Sequence, residues 1–381
     1  MKTVGIICEY NPLHLGHKKQ LDLLRRRDAG DTIVCLMSGN FVQRGAPAVF
    51  HRSLRAKAAI LSGADLVLEM PVTISLSSAE GFAAGSVSIL SSLCDELCFG
   101  AENADASALM DAARALLSDV FPPALRSHLE RGLSFPAARA AALQDLGLDS
   151  DILSQPNNIL AVEYCKAILA QASPMRPFPI CREGSYHDTA PDAENPSATA
   201  VRKLIAGGEA WSAYLPATAR AVFDGAAVHS LDAGERAVLS RLRTMTDNEY
   251  ETLPYGSEGL WRKLMHAARR EATLEQIAAA TKSKRYTRSR IDRMILCAFL
   301  GLTAKDLATA PPYARVLAFN DKGREVLNRA KRSALFPNIG EKTGYPYETI
   351  ENRCDGLYGL FAATAPGSPS EKERIFYTDK E

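Results

Sequence analysis

The chain has 381 residues, which is too long for one ordinary core and predicts two domains. Its 46% apolar and 23% charged residues are typical of a soluble globular protein, and a net charge of +1 excludes nucleic-acid binding through a general basic excess. No apolar run approaches the roughly 18 residues of a membrane span, and the N-terminus lacks a secretory pattern, so we expect no membrane association.

The first element is a short apolar strand at residues 3–8, followed by a turn and a helix with regularly spaced leucines. Two histidines, His14 and His17, lie in this turn, where Pro12 restrains the backbone and Gly16 allows close approach of a ligand. The free N–H groups of a helix N-terminus suit a phosphate, and two imidazoles beside it can donate hydrogen bonds to a reacting phosphorus. The turn therefore predicts a nucleotide triphosphate site. The alternatives are capping histidines or zinc, for which no third ligand is evident.

Strands and helices alternate through the first half at about 30 residues per unit, which predicts a parallel sheet with helices on both faces. The further predicted strands are residues 32–37, 64–69, 96–99 and 178–181, and the helices include 52–61, 79–93, 134–146 and 159–172. Because ligands bind at the carboxyl ends of such strands, polar residues that follow them should converge. These are His14, His17, residues 38–44, Glu69 and residues 100–102.

A second phosphate-binding arrangement is predicted near residue 200, after a polar loop at residues 189–196 that we expect to be mobile. Ser197, Thr199 and Arg202 begin a helix, and hydroxyls with one arginine at a helix start suit a phosphate. Arg182 follows the last predicted strand. The alternative for both Arg182 and Arg202 is that they are ordinary surface arginines. Residues 154–158 form a turn in which Asn157 and Asn158 are either helix caps or ligand contacts.

The remainder of the chain is predicted to be mainly helical, beyond a boundary near residues 206–216 that contain a glycine pair and a proline. Its informative part is residues 262–293, where ten lysines and arginines stand against three acids, with Tyr286 among them. In an otherwise neutral protein this basic segment favours contact with RNA phosphates over a merely solvated helix face.

Two further classes of site are disfavoured. The eight cysteines are scattered, and the closest pair, Cys94 and Cys98, has no histidine nearby. Buried reduced thiols are therefore expected rather than zinc, which indicates the cytoplasm. The first strand is followed by neither a Walker A sequence nor a complete dinucleotide fingerprint, which argues against a Walker-type kinase and a dehydrogenase.

His14-Leu15-Gly16-His17 is similar to the signature of the nucleotidyltransferase superfamily. Five stretches resemble the bacterial tRNA(Met) cytidine acetate ligase family, namely residues 5–17, 37–45, 156–160, 186–188 and 284–291. The resemblance implies an α/β fold: a Rossmann-like nucleotidyltransferase domain with a parallel sheet at residues 1–210, followed by a mainly helical tRNA-binding domain at 211–381. The departures are Leu13, Leu15 and Ala101, none of which removes a histidine.

The resemblance also implies the reaction. Acetate attacks the α-phosphorus of ATP to give acetyl-adenylate and pyrophosphate, and the acetyl group passes to the exocyclic amine of the wobble cytidine of elongator tRNA(Met). His14, His17 and Arg202 are the implied catalytic residues. The implied ATP-binding residues are Ile7, Cys8, Glu9, Tyr10, Asn11, Pro12, Leu13, His14, Leu15, Gly16, His17, Lys18, Lys19, Gln20, Gly100, Asn157, Asn158, Arg182, Ser197, Thr199 and Arg202.

For the partner RNA, the implied contacts are Lys284, Arg285, Arg288 and Arg290. Mg²⁺ is expected to accompany ATP, and no protein-bound metal is expected.

Two rival functions remain open. One is a coenzyme-type adenylyltransferase without an RNA substrate, which has no use for the basic segment. The other is a non-catalytic RNA-binding protein, against which the intact histidines and Arg202 weigh. The oligomeric state is not legible in the sequence.

Overall fold

The computed structural model describes residues 1–182, 192, 195–283, 285–308, 313–330, 347–364 and 375–379. The strands are β1 Thr3–Cys8, β2 Thr32–Ser38, β3 Phe41–Val42, β4 Ala46–Pro47, β5 Leu66–Met70, β6 Glu96–Ala101, β7 Arg176–Cys181, β8 Arg315–Phe319 and β9 Phe376–Tyr377.

The helices of the first half are α1 Leu15–Arg27, α2 Arg52–Leu61, α3 Val72–Ser75, α4 Ala79–Leu90, α5 Ala106–Leu117, α6 Phe121–Glu130, α7 Phe135–Asp145, α8 Pro156–Ala170 and α9 Ala198–Gly207. Those of the second half are α10 Ala217–Phe223, α11 Leu231–Thr244, α12 Asp247–Glu251, α13 Leu260–Arg270, α14 Leu274–Thr281, α15 Arg288–Leu300, α16 Ala304–Ala308, α17 Asp321–Ala330 and α18 Glu348–Tyr358. Short 3₁₀ turns lie at Ser150–Leu153, Ser212–Tyr214 and Gly359–Phe361.

The main sheet has seven strands in the order β7-β6-β1-β2-β5-β8-β9. The five strands from β7 to β5 are mutually parallel. The chain moves outward from β1 in one direction through β2 and β5, and in the other through β6 and β7. The strand order therefore reverses between β1 and β6, and this switch point is where open α/β sheets bind ligands.

Alternating side chains of the parallel strands fill two separate cores. Val34 and Leu36 of β2 belong to the core that includes α4 and α8, whereas Cys35 and Met37 belong to the core on the opposite face with α1 and α2. Both faces are covered because parallel strands joined by helices are buried on each side. The predicted α/β fold with a helical C-terminal region is confirmed, and each predicted strand is present with bounds shifted by at most two residues.

The second half contributes more than helices, which the sequence analysis missed. Strand β8 pairs antiparallel with β5, and β9 pairs with β8, so one sheet includes residues from both sides of the predicted boundary at 210. A buried cluster of charges secures this edge. The carboxylate of Glu69 accepts hydrogen bonds from Arg52 (3.0 Å) and Arg315 (2.8 Å). Burial raises the pKa of the nearby Glu351 to about 8, although the charge of Arg315 opposes the shift.

The helical region has its own core. It is formed mainly by α11, α13, α14, α15 and α18, and it includes Phe41 from the β3–β4 hairpin of the first half. In the described part of the chain, no helix is both long and apolar enough to cross a membrane.

Candidate active site

The turn after β1 has an unusual backbone that is held by distant residues. Tyr10 is buried with φ of +43°, and the Asn11–Pro12 peptide bond is cis. The side-chain oxygen of Asn11 accepts a hydrogen bond of 2.8 Å from the backbone of Val49, and the Asn11 carbonyl accepts one of 2.8 Å from Arg202. The turn is therefore fixed on both sides before any ligand binds.

Two stacked imidazoles lie at the start of α1. His14 is the N-cap residue and is only 3% exposed, and its ring lies 3.7 Å from the ring of His17, centroid to centroid. The Nδ1 atom of His17 accepts a hydrogen bond of 3.3 Å from the backbone N–H of His14. A neutral His17 in this arrangement carries its proton on Nε2, where it is a hydrogen-bond donor.

The Nδ1 atom of His14 is buried and has no hydrogen-bond partner. Leaving such a group unsatisfied costs on the order of 1–3 kcal/mol, so an unpaired atom of this kind is a reason to look for a ligand. It lies beside Gly16, where an added Cβ would come within 3.2 Å of His14 Nδ1. Glycine at this position therefore keeps the first turn of α1 open next to the imidazole.

Both histidines are held in the neutral state. Burial, assisted by the charges of Arg182 and Arg202, lowers the pKa of His14 to about 3. Burial also lowers the pKa of His17 well below its ordinary value, assisted by His14 and the same two arginines. The positive charge of the site therefore comes from the arginines and the helix N-terminus, while the imidazoles act as neutral partners.

The N-terminus of α9 lies beside that of α1. Ser197 caps α9 by accepting a hydrogen bond of 3.1 Å from the backbone of Ala200, and Thr199 accepts one of 3.1 Å from Arg202. In the same contact between α1 and the start of α9, Lys19 donates a hydrogen bond of 2.7 Å to the side-chain oxygen of Asn195. The structure thus brings Ser197, Thr199 and Arg202 close to the turn that carries the histidines. That they bind a phosphate stays a prediction.

Beside the end of β6, Arg182 lies close to Asn157 and Asn158. Arg182 donates a hydrogen bond of 3.0 Å to the side-chain oxygen of Asn157. A Cβ on Gly100 would lie 2.9 Å from the Arg182 side chain, so this glycine makes room for it. Glu102 accepts hydrogen bonds from the side chain of Asn157 at 2.5 Å and from the backbone of Asn158 at 2.8 Å.

These contacts distinguish the roles of Asn157 and Asn158 and define the role of Glu102. Asn158 is buried, and its side-chain oxygen accepts a hydrogen bond of 2.9 Å from the backbone of Asn103, which is a structural role. Asn157 is half-buried and faces Arg182, which makes it the better placed of the two for a ligand. Glu102 caps the N-terminus of α8.

The other residues of the turn mostly hold its shape. Leu13 is fully buried, Gln20 donates to the thiol of Cys98 at 3.4 Å, and Lys18 pairs with Asp22 within α1. Burial raises the pKa of the Cys8 thiol, which keeps it protonated and unsuited to nucleophilic attack. Nowhere in the described ranges do three or more His, Cys, Asp or Glu side chains gather to hold a metal ion.

Sequence reasoning missed Arg55, which is fully buried. Its guanidinium donates to the carbonyls of Glu9 (2.6 Å), Phe50 (2.9 Å) and Ser38 (3.1 Å), and also to that of Gly39. It therefore ties together the chain ends that leave β1 and β2. An arginine inside an ordinary helical pattern carries no local signal of this role, because three of its four acceptors lie 16 to 46 residues away in the sequence.

The basic segment lies on the helical region, and its arginines already have partners. Arg285 pairs with Glu258 (2.8 Å), Arg288 pairs with Glu275 and Asp292 (2.7 Å each), and Arg290 donates to the carbonyl of Tyr255 (2.9 Å). Lys284, like the motif at residues 186–188, lies outside the described residues. Arg285 and Arg288 therefore lie on an exposed surface in ion pairs, rather than in a bare cluster of cations.

Taken together, the cleft combines two helix N-termini, two neutral imidazoles and two arginines at the switch point of a parallel sheet. This arrangement can bind a polyphosphate and stabilise charge on a reacting phosphorus. The fold and the site define a nucleotidyltransferase-type α/β protein. In agreement, residues 1–366 match the sequence model of the HIGH Nucleotidyl Transferase family.

Comparison with individual proteins narrows the class. The chain is 35% identical to the tRNA(Met) cytidine acetate ligase of Clostridium acetobutylicum over 372 residues, which cover 92% of each protein. Its structure is similar to that of apo TmcAL from Thermotoga maritima, with a TM-score of 0.91, 29% identity and full coverage of both chains. TmcAL bound with alpha-thio ATP gives a TM-score of 0.88. The chain belongs to the tRNA(Met) cytidine acetate ligase family, which confirms the resemblance found in the sequence.

Proposed function

We propose that this protein activates acetate with ATP and transfers the acetyl group to a cytidine of tRNA. In the first step a carboxylate oxygen of acetate attacks the α-phosphorus of ATP, an O–P bond forms, and pyrophosphate leaves. In the second step the exocyclic amine of the wobble cytidine of elongator tRNA(Met) attacks the acetyl carbonyl. A C–N bond forms, the bond to the adenylate breaks, and AMP and a proton are released.

The observation that carries the first step is the unpartnered Nδ1 atom of His14 in a cleft between two helix N-termini. Acetate is already an anion, so the first step needs placement and charge stabilisation rather than a base. The neutral histidines match this need, since their lowered pKa values would make them poor bases. They would donate hydrogen bonds to the triphosphate, and the arginines would supply its countercharge.

Arg202 would neutralise the leaving pyrophosphate, with Ser197 and Thr199 beside it. Arg202 already links α9 to the turn after β1 through Thr199 and the Asn11 carbonyl, so a phosphate bound there would touch both elements at once. The first loop, from Ile7 to Gln20, with Gly100, Asn157 and Arg182, would hold the nucleotide. Asn158 would act indirectly on the nucleotide site, by holding the N-terminus of α8 in position.

Mg²⁺ would arrive with ATP rather than reside in the protein. The described residues around the histidines are mainly imidazoles, amides, hydroxyls and arginines, whereas Mg²⁺ prefers carboxylate and water oxygens. The two carboxylates there, Glu9 and Glu102, already accept hydrogen bonds from the backbone of Gln43 and of Asn158, and no group of three or more His, Cys, Asp or Glu side chains gathers in the described part of the chain. These residues do not fit a resident divalent cation, and no step is assigned to one.

Residues 1–210 would bind ATP, and the helical region within residues 211–381 would bind tRNA through Arg285, Arg288 and Arg290, with Lys284 as a further candidate. The ion pairs Arg285–Glu258 and Arg288–Glu275 are exposed, and exposed pairs contribute only about 0–1 kcal/mol, so a phosphate can replace the acid partner at little cost. A coenzyme-type adenylyltransferase would gain nothing from this surface.

The direct test is to incubate the protein with ATP, labelled acetate and total bacterial tRNA, without coenzyme A. We expect label in tRNA, and loss of that label when the tRNA(Met) wobble cytidine is replaced by uridine in a transcript. Acetate-dependent ATP–pyrophosphate exchange in the absence of tRNA measures the first step alone. Absence of both acetate-dependent exchange and acetyl transfer would instead favour the coenzyme-type adenylyltransferase, which does not use acetate.

A further inference from the structure

The β3–β4 hairpin connects the two halves of the proposed reaction. It begins shortly after β2 at the carboxyl edge of the sheet, yet its Phe41 packs in the core of the helical region. The Phe41 ring meets the rings of Tyr358 and Phe361 edge-on, with centroids 5.8 and 5.9 Å away. The hairpin is therefore rooted in the region that carries the basic segment.

The hairpin turn lies directly on the backbone of α15. Gly45 has φ of +81°, and a Cβ at this position would lie 2.4 Å from the backbone nitrogen of Arg293. Any side chain would therefore push the turn away from α15. Glycine is needed here both for its left-handed conformation and for the close approach.

Arg293 of α15 holds the hairpin from beside this contact. It is 8% exposed, and its Nη1 atom donates a hydrogen bond of 3.2 Å to the carbonyl of Gln43. Its guanidinium lies 5.0 Å from the centre of the Tyr255 ring. The carbonyl of Tyr255 in turn accepts a hydrogen bond of 2.9 Å from Arg290, one of the proposed tRNA contacts.

The opposite edge of the hairpin touches the nucleotide turn. The backbone N–H of Gln43 donates a hydrogen bond of 3.0 Å to the carboxylate of Glu9. Glu9 lies in the loop that leads to His14, and its own carbonyl is held by Arg55 at 2.6 Å. A continuous series of contacts thus runs from Arg290 through Tyr255, Arg293 and Gln43 to Glu9.

We propose that Arg293 is a positioning residue for acetyl transfer: through the hairpin it fixes the tRNA-binding surface relative to the acetyl-adenylate site. This inference rests on the proposed function. The first step joins two small molecules inside the cleft, whereas the second must bring a base of a large RNA to within bonding distance of the acetyl carbon. A displacement of about 1 Å costs up to roughly 100-fold in such a step.

The test compares Arg293→Ala, Arg293→Lys and Gly45→Ala with the control Arg241→Ala, which removes a surface arginine of α11 that pairs with Glu249. Three quantities are measured on variants that circular dichroism shows to be folded: acetate-dependent ATP–pyrophosphate exchange, the tRNA dissociation constant, and single-turnover acetyl transfer at saturating tRNA. We expect transfer to fall roughly 10- to 100-fold more than exchange in Arg293→Ala and Gly45→Ala. Arg293→Lys should recover part of it, because a lysine can still donate to Gln43.

The dissociation constant should stay near that of the wild type, because Arg293 is buried and makes no proposed phosphate contact. Equal loss of exchange and transfer, or a loss confined to tRNA affinity, would overturn the inference. A wild-type protein without exchange activity would overturn the proposed function instead. In that event, amide hydrogen exchange at residues 41–47 tests the positioning role separately. Faster amide exchange in Arg293→Ala and Gly45→Ala, but not in Arg241→Ala, supports the role. No difference between the variants rejects it.

Discussion

The cleft at the end of the sheet and the basic segment on the helical region both offer positive groups to phosphates, but they are built differently. In the cleft, His14 is 3% exposed and keeps an atom without a partner, while Arg202 is anchored to Asn11 and Thr199. On the basic segment, the Arg285 side chain is 71% exposed and paired with Glu258. Preorganised buried groups suit a reaction, whereas exchangeable surface pairs suit a backbone that must bind and leave.

The largest effect is expected from the histidines. His17→Ala should lower acetate-dependent ATP–pyrophosphate exchange by about 100- to 1,000-fold, the usual loss when one preorganised donor is removed. His17→Asn keeps a side-chain amide at the position and serves as the matched variant, which we expect to lose less. Full exchange activity in His17→Ala would remove the basis for a catalytic cleft.

A smaller loss is expected from Arg202→Lys. Lysine keeps the charge but cannot hold Asn11 and Thr199 and bind a phosphate at the same time. Exchange should fall roughly 10- to 100-fold, with the loss in kcat because the leaving pyrophosphate is the group affected. A pure rise in KM for ATP would show instead that Arg202 only binds the ground state.

The depressed pKa of His14 predicts a pH effect on stability. Its folded pKa is about 3 against an ordinary 6.5, so the unfolded chain binds the extra proton between these values. The contribution of His14 to the unfolding free energy should therefore fall as pH drops below about 6.5, by up to roughly 1.4 kcal/mol per pH unit, and level off near pH 3. Urea unfolding of the wild type and His14→Asn measures this, and the variant should show a shallower slope. Identical slopes would exclude His14 as the source.

The smallest effect is expected on the exposed surface. Arg285→Glu should weaken tRNA binding by up to about tenfold and reduce its salt dependence, because one phosphate contact is lost. Exchange without tRNA should be unchanged, and Arg241→Glu on the same region is the control. Equal weakening in both variants would indicate a general charge effect instead of a site.

The local features of this protein follow from its sequence alone. The strand, turn and helix around His14 and His17, the helix start at Ser197 and the basic character of residues 262–293 could all be predicted, since they depend on neighbours a few residues apart. The parallel sheet also followed, because alternating strands and helices leave few other arrangements.

Only the tertiary structure decided which distant groups meet. Strand β8 joins the sheet across more than 240 residues by pairing Glu69 with Arg315, and Glu102 caps a helix that begins at Pro156. Arg55 donates to carbonyls at Glu9, Ser38 and Phe50. No periodic pattern in the sequence indicates such contacts, because Glu69, Glu102 and Arg55 each look like an ordinary surface charge in their own segment. The same holds for the contact between Gly45 and α15, which depends on two elements that the sequence separates by nearly 250 positions.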